Sequence, residues 1–473
     1  MTNTSSYREA RNSTPGVLFS TNSIYFALLA AILPNIPYLI LSFFVCPMRF
    51  FPILLYFLLA IVSFQMNVFV FISFAILIFV FDVVFVVSGI FGLPPSLVVD
   101  SLGHLPSLSL FSFSGYIIVA ASLIFVAWLY IHLLVRHRDM FKTVSLVPAF
   151  LAFCVVFAID LTFNPPTKLF AAMFFPKPPE VTSATLQTGL DTPGRDGRKG
   201  DVLIVMVEGM GAMSNPLHQD LLWDVFETAQ IQSSFDVTTG TSPYYSSTTA
   251  AEARELCTHW GDHRDFRDKT AYDCLPARYR AEGYETASFH AYWGRFFNRT
   301  DWYPKVGFDS VHFMETIGKT EKTTRTRTCG LTFKGLCDDD VADAVEAFLE
   351  DRAGQPKFAY WLTLNTHIPI EAGAATPRLD CETGGPFGDR TVCSLTEMWM
   401  DVFHRVRRIA LNPKLKGLEI LIVGDHHPPV WTRRGRNQFE AGKVAWLHLK
   451  SLDASSADKI AAAKAGSNAK LRN

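Results

Sequence analysis

A long stretch almost without charge constrains this chain more than any other feature. Within residues 23–134 the only Asp, Glu, Lys or Arg residues are Arg49, Asp82 and Asp100. That composition is typical of membrane-spanning segments, whereas charges of both signs become frequent from about residue 191, as in soluble globular proteins. The formal net charge of the 473-residue chain is −1. A nearly neutral chain has no general attraction for nucleic acid, so we expect no nucleic-acid partner.

Five apolar runs divide the first part of the chain, at residues 24–45, 51–65, 68–91, 111–135 and 144–163. Most approach the roughly 20 residues that cross a bilayer as a helix. Arg8 and Arg11 precede the first run, and a basic segment at 136–142 separates the fourth from the fifth. Because basic residues mark cytoplasmic ends, we predict that residues 1–164 span the membrane five times and that everything after Asn164 lies outside the cytoplasm.

Cysteine usage supports an oxidising compartment for the second part. Six cysteines lie there, at 257, 274, 329, 337, 381 and 393, while Cys46 and Cys154 lie in or beside apolar runs. An even number at short separations suits disulfides, and the simplest of the 15 connectivities pairs 257 with 274, 329 with 337 and 381 with 393. A zinc site is the alternative, although the chain has no Cys-x-x-Cys.

The second part alternates between strand and helix patterns. Apolar strand-like runs lie at 202–207, 286–289, 358–364 and 418–423, and helical patterns at 217–228, 249–257, 277–282, 338–351 and 395–411. This alternation predicts an α/β domain with a mostly parallel central sheet between helices, over residues 201–450. An interfacial helix at 167–175 and a linker are expected within 165–200, and a polar tail within 451–473.

Side chains that can bind metal follow four of the predicted strands. Glu208 follows the first, His290 the second, His367 the third, and Asp425 with His426 the fourth. One histidine after a strand is usually a hydrogen-bonded loop residue. Because ligands bind beyond the carboxyl ends of parallel strands, four such ends together predict a site.

Two carboxylates and one imidazole, from Glu208, Asp425 and His426, suit one divalent ion, Zn²⁺ or Mn²⁺. A metal held by so few protein ligands keeps open positions for chemistry. The set therefore favours a catalytic metal over a structural one.

A nucleophile is expected where the loop "GTSPYYSS" meets the helix former "AAEARELC". Thr248 stands at the junction, where the helix N-terminus favours anions. Ser247 and Thr249 are competitors for the same role. A hydroxyl at this position is also a normal helix N-cap, and one residue can cap while its neighbour reacts.

The motifs "VEG", "SSTTAAE", "FHAYWGRFFNR", "LTLNTHIP" and "GDH", in this order, resemble the alkaline-phosphatase superfamily. They are most similar to its membrane-anchored branch: lipoteichoic acid synthase, phosphoglycerol transferases and phosphoethanolamine transferases. The resemblance implies a sulfatase-like domain in which Glu208, Thr248, Asp425 and His426 bind the metal, with Thr248 also the nucleophile.

The resemblance also implies a substrate pocket formed by His290, Phe297, Arg299 and His367. Arg299 and the two histidines would be catalytic as well, by stabilising charge on the phosphate. Phe297 stands where the family usually has Trp, so the transferred group can be phosphoglycerol or phosphoethanolamine.

The implied reaction is metal-dependent transfer of a phospholipid head-group phosphate, through a phosphothreonine, to an envelope glycan or lipid. The donor would be phosphatidylethanolamine or phosphatidylglycerol. The implied location is the bacterial inner membrane, with the catalytic domain in the periplasm or outside.

Two other functions remain open: a sulfatase or phosphodiesterase that transfers to water, and an inactive envelope scaffold. The sulfatase modification motif, Cys or Ser followed by x-Pro-x-Arg, is missing, because "SPYYS" has no suitable Arg. Intact Glu208, Thr248, Asp425 and His426 argue against a scaffold.

Several further residues suggest roles. Asp82, inside the third apolar run, is expected to contact a lipid head group or a neighbouring helix. His427 either supports His426 or binds a second metal ion. Asp100 and His104, between the third and fourth runs, could line a lipid entry path.

The segment "THWGDHRDF" contains His259, Asp262 and His263, which together look metal-like. We interpret them as solvated or structural residues, because they follow the helix that begins at the expected nucleophile.

Overall fold

The computed structural model describes residues 18–164, 180–194, 199–269, 271–317, 327–351 and 354–452. The chain forms two compact units, of which one comprises Met1–Ile90 with Gly115–Thr167 and the other Phe91–Ser114 with Lys168–Asn473. The interfacial helix predicted at 167–175 and the tail beyond 452 lie outside the described residues.

The first unit is built from apolar helices. Three stretches are long and apolar enough to cross a membrane: Thr21–Leu41, Val68–Phe91 and Ser114–Arg136. Two shorter apolar helices, Phe50–Val62 and Val147–Phe163, coincide with the second and fifth predicted spans. A short 3-10 helix, Met140–Thr143, precedes the last one. All five predicted runs are therefore helical, and a crossing by each of them stays a prediction.

A buried polar network connects these helices. Asp82 is fully buried and binds Arg49 through two hydrogen bonds, from Nε at 2.9 Å and from Nη2 at 2.6 Å. Arg49 also donates to Asn35 at 3.1 Å and, from its backbone nitrogen, to Asp160 at 2.7 Å. Its guanidinium carbon lies 3.5 Å from the centre of the Tyr38 ring. The intramembrane carboxylate is thus partnered by a side chain of the same unit.

An eight-stranded mixed sheet organises the second unit. Its strands are β1 Val202–Val207, β2 Gly211–Met213, β3 Phe235–Pro243, β4 Glu285–His290, β5 Ser310–His312, β8 Lys357–Leu362, β9 Glu419–Gly424 and β10 Phe439–Ser451. Its order is β2-β10-β9-β1-β8-β4-β5, and β3 pairs with β10. The strands from β9 to β5 are parallel, while β10 runs antiparallel to β9, β2 and β3. The strands β6 Thr328–Cys329 and β7 Gly335–Leu336 form a separate two-stranded ribbon.

Helices of this unit lie near their predicted places. The 249–257 pattern is the helix Thr248–Cys257, the 277–282 pattern is Leu275–Ala281, and the last two are Asp338–Glu350 and Arg390–Ala410. The 217–228 pattern is split into Pro216–Trp223 and a 3-10 turn, Asp224–Phe226. Other helices are Pro95–Ser101, Ala184–Thr188, Ala229–Ser234, Arg299–Val306, Met314–Ile317 and Arg433–Arg436.

Both faces of the sheet are buried, which explains the continuous apolar runs of its parallel strands. Along β1, Leu203 and Val205 belong to the core that includes Trp399 of the long helix Arg390–Ala410. Ile204 belongs to the opposite core, which includes Trp302. Successive side chains of a strand point to opposite faces, so one unbroken apolar run supplies two cores.

The predicted cysteine pairing is confirmed. Disulfides join Cys257 to Cys274, Cys329 to Cys337 and Cys381 to Cys393. Cys46 and Cys154 are free.

Candidate functional site

The four strands that carry the predicted site residues lie side by side. They are β9, β1, β8 and β4, and all neighbouring pairs among them are parallel. Val207 of β1 is level with Gly424 of β9, and His290 of β4 is level with Leu362 of β8. The carboxyl ends therefore meet at one edge, as predicted.

Three potential metal ligands converge at that edge. Ligand atoms of Glu208, Asp425 and His426 all lie within 4.8 Å of one another, and this is the one such cluster found among the described residues. His426 Nε2 is 3.3 Å from Glu208 Oε1 and 3.3 Å from Asp425 Oδ2. Both carboxylates are buried and His426 is half-buried.

Asp425 shows how the cluster is prepared for a cation. Its Oδ1 accepts hydrogen bonds from the backbone nitrogens of Gly209, at 2.7 Å, and His426, at 2.6 Å. Its Oδ2 is buried without a hydrogen-bond partner. Burial and the neighbouring Asp425 raise the pKa of Glu208 well above its ordinary value. An unpaired buried oxygen beside a second carboxylate is costly unless a cation neutralises both, so these residues fit a divalent metal ion.

A hydrogen bond from Nδ1 fixes the orientation of the His426 ring. Its Nδ1 donates to the backbone carbonyl of His427 at 2.8 Å, which leaves Nε2 to face the carboxylates. A histidine that binds metal usually donates its other ring nitrogen in this way. The His427 side chain itself donates to the Lys443 carbonyl at 2.9 Å, so His427 supports His426 through its backbone.

Thr248 is the hydroxyl that faces the cluster. Its Oγ1 donates to Glu208 Oε2 at 3.2 Å and lies 3.3 Å from His426 Nε2. Ser247 is the N-cap residue, and its hydroxyl bonds to the fully buried Thr249 at 3.1 Å. Of the three competing hydroxyls, that of Thr248 therefore faces the cluster, while those of Ser247 and Thr249 bond to each other.

Close packing of the backbone brings the two acidic strand ends together. A Cβ at Gly424 would lie 1.8 Å from the Met210 carbonyl oxygen, so only glycine fits there. Arg254, buried on the helix Thr248–Cys257, donates to the carbonyls of Gly424 at 3.0 Å and Asp425 at 3.4 Å. The helix that carries Thr248 is therefore tied directly to the turn that carries Asp425 and His426.

Arg299 is buried in an ion pair with Glu252. The guanidinium approaches both carboxylate oxygens at 3.0–3.3 Å, and Tyr303 also donates to Glu252. Burial alone would lower the pKa of Arg299, but Glu252 and Tyr303 raise it overall. Arg299 therefore stays charged, with much of its hydrogen-bonding capacity directed at Glu252.

Phe297 lies beside this ion pair, with its ring centre 5.8 Å from the Arg299 guanidinium carbon. Its backbone is left-handed, with φ 54°, and so is that of Asn298, with φ 53°. Such conformations cost about 1–3 kcal/mol each for non-glycine residues and persist only where surrounding contacts enforce them.

The two remaining predicted histidines lie at the same edge. His290 is buried and donates from Nδ1 to the Leu362 carbonyl at 3.1 Å. His367 Nε2 is 3.3 Å from Glu208 Oε1, and its ring stacks on Phe333 at 4.0 Å. Burial, followed by His426 and Arg299, lowers the pKa of His367 to about 3, and burial with Arg299 lowers that of His290.

The "THWGDHRDF" residues lie outside the metal-capable cluster. Asp262 caps the 3-10 helix His263–Phe266, and His259 Nε2 lies 3.1 Å from Asp265 Oδ2. His263 is fully buried and bonds Thr249 at 3.4 Å.

Sequence reasoning missed the buried charges that hold the site. Glu252, Arg254 and Glu255 are each at most 1% exposed, although in "AAEARELC" they read as ordinary helix formers. The one available signal is spacing, since Glu252 follows Thr248 by four residues and so shares its helix face.

A parallel sheet edge that gathers two carboxylates, an imidazole and a helix-N-terminal hydroxyl defines the class: an α/β domain with a candidate catalytic metal centre. Residues 201–396 match the family model described as Sulfatase. The match covers about two fifths of the chain, so this part is similar to that family, and the apolar helices before it include three that are long and apolar enough to cross a membrane.

One curated relative is a protein of Rhizobium meliloti (strain 1021) named for cyclic beta-1,2-glucan modification, 28% identical over 176 residues. The match covers 36% of this chain and 26% of the relative, so the chain spans about a quarter of the relative's length.

Solved structures with partial similarity include three bacterial proteins. They are lipoteichoic acid synthase LtaP from Listeria monocytogenes (14% identity, TM-score 0.38, 57% of this chain and 71% of that one), Streptococcus pyogenes phosphoglycerol transferase GacH (13%, 0.37, 56% and 72%), and the periplasmic domain of EcEptC from Escherichia coli with Zn (13%, 0.34, 54% and 74%). TM-scores this low leave the question of substrate to the site itself.

Proposed function

We propose that this protein transfers the head-group phosphate of a phospholipid, phosphoethanolamine or phosphoglycerol, to an envelope glycan or lipid. The observation that supports this most directly is the position of Thr248. Its hydroxyl begins a helix and lies 3.2 Å from Glu208 and 3.3 Å from His426. A hydroxyl so placed is arranged to become a covalent nucleophile.

Glu208, Asp425 and His426 would hold one divalent ion, Zn²⁺ or Mn²⁺, which when bound lowers the pKa of a hydroxyl and neutralises phosphoryl oxygens. In the first step Thr248 Oγ1 forms a bond to phosphorus, the bond to the diacylglycerol oxygen breaks, and that oxygen takes up a proton. Glu208 Oε2 accepts the Thr248 hydrogen bond and is the nearest acceptor for its proton. In the second step the oxygen of an acceptor hydroxyl forms a bond to phosphorus, the bond from phosphorus to Thr248 Oγ1 breaks, and the proton lost by the acceptor ends on Thr248 Oγ1.

The remaining side chains act on the substrate. Burial lowers the pKa of both His290 and His367. His367 can donate a ring N–H to a phosphoryl oxygen, whereas His290 already donates from Nδ1 to the Leu362 carbonyl, so its Nε2 donates to phosphate only when the ring is protonated. Arg299 adds a fixed positive charge, and Phe297 offers an apolar face to the head group. A membrane anchor suits this reaction, because the donor is confined to the bilayer surface.

The decisive experiment is intact-mass analysis of the full chain, loaded with Zn²⁺ or Mn²⁺ and incubated with vesicles of phosphatidylglycerol or phosphatidylethanolamine. An added head-group phosphate on Thr248 identifies the donor. Thr248→Val should carry no adduct, while Thr248→Ser keeps the hydroxyl and should form it more slowly. An unmodified wild-type protein with both lipids, or activity retained in Thr248→Val, would refute the covalent mechanism.

A hydrolase of the same fold is the second candidate, and the match to the Sulfatase family model favours it. Both functions share the first step and differ in the acceptor. Hydrolysis predicts that the phosphothreonine decays in buffer at the turnover rate, whereas transfer predicts a long-lived adduct that a glycan or lipid hydroxyl discharges.

A further inference from the structure

The segment that links the third and fourth apolar helices is part of the second unit. It contains the helix Pro95–Ser101 and the 3-10 turns Leu102–Ser107 and Leu110–Ser112. Ser109 donates its backbone N–H to the Thr332 carbonyl at 2.9 Å, and Tyr292 donates to the Ser107 carbonyl. The segment is thus attached to this unit at both Thr332 and Tyr292.

Asp100 of this segment connects to the loop that carries the nucleophile. Its Oδ2 lies 3.4 Å from Nε2 of the fully buried His263. Arg267 donates to the same Nε2 at 3.2 Å and forms an ion pair with Asp100 Oδ1 at 3.6 Å, so it joins the two residues. His263 Nδ1 lies 3.4 Å from Thr249 Oγ1, which in turn lies 3.1 Å from Ser247 Oγ. Ser247 is the N-cap of the helix that begins at Thr248. A continuous series of polar contacts therefore runs from Asp100 to the residues on either side of Thr248.

His104 of the same segment contacts the predicted substrate pocket. Its ring centre is 5.1 Å from that of Phe297 and 5.3 Å from that of Phe296. His263 lies 5.2 Å from Phe297 as well, so Phe297 is close to two imidazoles. The left-handed Phe297 backbone is held by the Trp302 indole, which donates to the Phe297 carbonyl at 3.2 Å.

We propose that Asp100 is a positioning residue, which fixes the Thr248 loop through His263 and Thr249, and that His104 forms with Phe297 a wall of the donor head-group site. The inference rests on the proposed function, since it assigns these residues to a lipid-derived donor. Its ligand is the small polar group on the phosphodiester, ethanolamine or glycerol. A segment bounded by two apolar helices is suited to meet a donor that stays in the bilayer.

The test uses the full metal-loaded chain and single-turnover formation of phosphothreonine against vesicles of increasing phosphatidylglycerol or phosphatidylethanolamine content. Asp100→Ala should lower the maximal rate about tenfold or more while the half-saturating donor concentration changes little, because small displacements of a nucleophile are costly. Asp100→Asn keeps the shape and an acceptor oxygen and should recover part of the rate.

His104→Ala should do the opposite, raising the half-saturating donor concentration about tenfold and leaving the maximal rate within about twofold. His104→Phe keeps a flat ring and should restore donor binding. Leu102→Ala, whose side chain is 55% exposed in the same segment, is the matched control and should behave as wild type. The lipid that shows the larger His104 effect identifies the head group.

Hydrogen exchange of the metal-loaded protein without lipid separates this inference from the proposed function. Asp100→Ala should speed exchange of the amides at 248–251, and Leu102→Ala should not. Unchanged exchange would overturn the positioning role even where lipid chemistry is seen. If exchange changes but no lipid reacts, the proposed function fails and the positioning role stands. If His104→Ala and Leu102→Ala had the same kinetics, the proposal that His104 forms part of the donor head-group site would be wrong.

Discussion

Two buried groups of charged residues differ in how completely they are partnered. In the helical unit, both oxygens of Asp82 bind Arg49, which also binds Asn35 and Asp160. In the second unit, Asp425 is equally buried, yet its Oδ2 has no hydrogen-bond partner. The first arrangement is complete within the protein. The second leaves one carboxylate oxygen without a hydrogen-bond partner among the described residues, which fits a bound cation.

The comparison teaches how to separate structural from functional charge. Buried charges are tolerated when they are paired and hydrogen-bonded, and a deliberate exception marks a place where something else binds. Arg299 is paired with Glu252 as Arg49 is with Asp82, although it lies beside the second group and the proposed function gives it a role on the substrate. Burial alone would not have distinguished them.

Breaking the paired group should have the largest effect. Arg49→Met leaves Asp82 buried and unpaired, so we expect a loss of about 3–5 kcal/mol in the free energy of unfolding. The double change Arg49→Met with Asp82→Leu should recover most of it. Unfolding of the full chain in detergent measures both. If Arg49→Met alone were as stable as wild type, the pair of Arg49 and Asp82 would contribute nothing to the free energy of unfolding.

Removing the charge of Asp425, whose Oδ2 has no hydrogen-bond partner, should not destabilise the protein until metal is added. Without metal, Asp425→Asn should be at least as stable as wild type, because Glu208 then has no charged neighbour at that position. Wild type should gain about 2.7 kcal/mol when Zn²⁺ reaches 100 times its dissociation constant, and the variant should gain little. Unfolding with chelator and with added metal provides the comparison. Equal stabilisation of both proteins would contradict the assigned ligand.

The next prediction concerns Asp338, a third buried carboxylate, whose hydrogen bonds come from backbone N–H groups. Asp338 accepts N–H bonds from Leu364 and Asn365, and burial raises its pKa to about 7. A carboxyl whose folded pKa is raised stabilises the fold below its unfolded pKa, near 4, and loses that contribution as pH rises through about 7. Wild type should therefore lose on the order of 2–3 kcal/mol relative to Asp338→Asn between pH 5 and pH 8. A pH-independent difference between the two would contradict it.

The smallest effect is expected at an exposed pair. Asp343 binds Arg408 at 2.6 Å, but the side chains are 57% and 41% exposed. Asp343→Asn should change the free energy of unfolding by less than about 0.5 kcal/mol, and less still in high salt. This variant is also the control for Asp425→Asn, since it removes one carboxylate from the same unit. A large loss would mean that exposure does not separate the two kinds of pair.

The parallel part of the sheet could be predicted because β1, β4, β8 and β9 are buried on both faces and therefore apolar throughout. The antiparallel extension could not. The strand β3, "FDVTTGTSP", is polar enough to read as a loop, and only its nine-residue register with β10 makes it a strand. Such pairing depends on residues about 200 positions away, which no local pattern contains.

The candidate site was predictable at the level of residue types. Glu208, Asp425 and His426 follow strands that prove to be neighbours, so their convergence follows from the sheet order. The sequence analysis preferred Thr248 to Ser247 and Thr249, but only the phase of the helix shows which hydroxyl faces the cluster. Partners such as Glu252 for Arg299 required the fold itself, because neither lies in a motif that names the other.

The link formed by Phe91–Ser114 limits how many times the chain after it can cross a membrane. This link and Lys168–Asn473 belong to one compact unit, and we expect one compact unit to lie on one side of a bilayer. The chain between them must then cross an even number of times. If Ser114–Arg136 crosses, the 17-residue helix Val147–Phe163 has to cross back, although it is the shorter of the two.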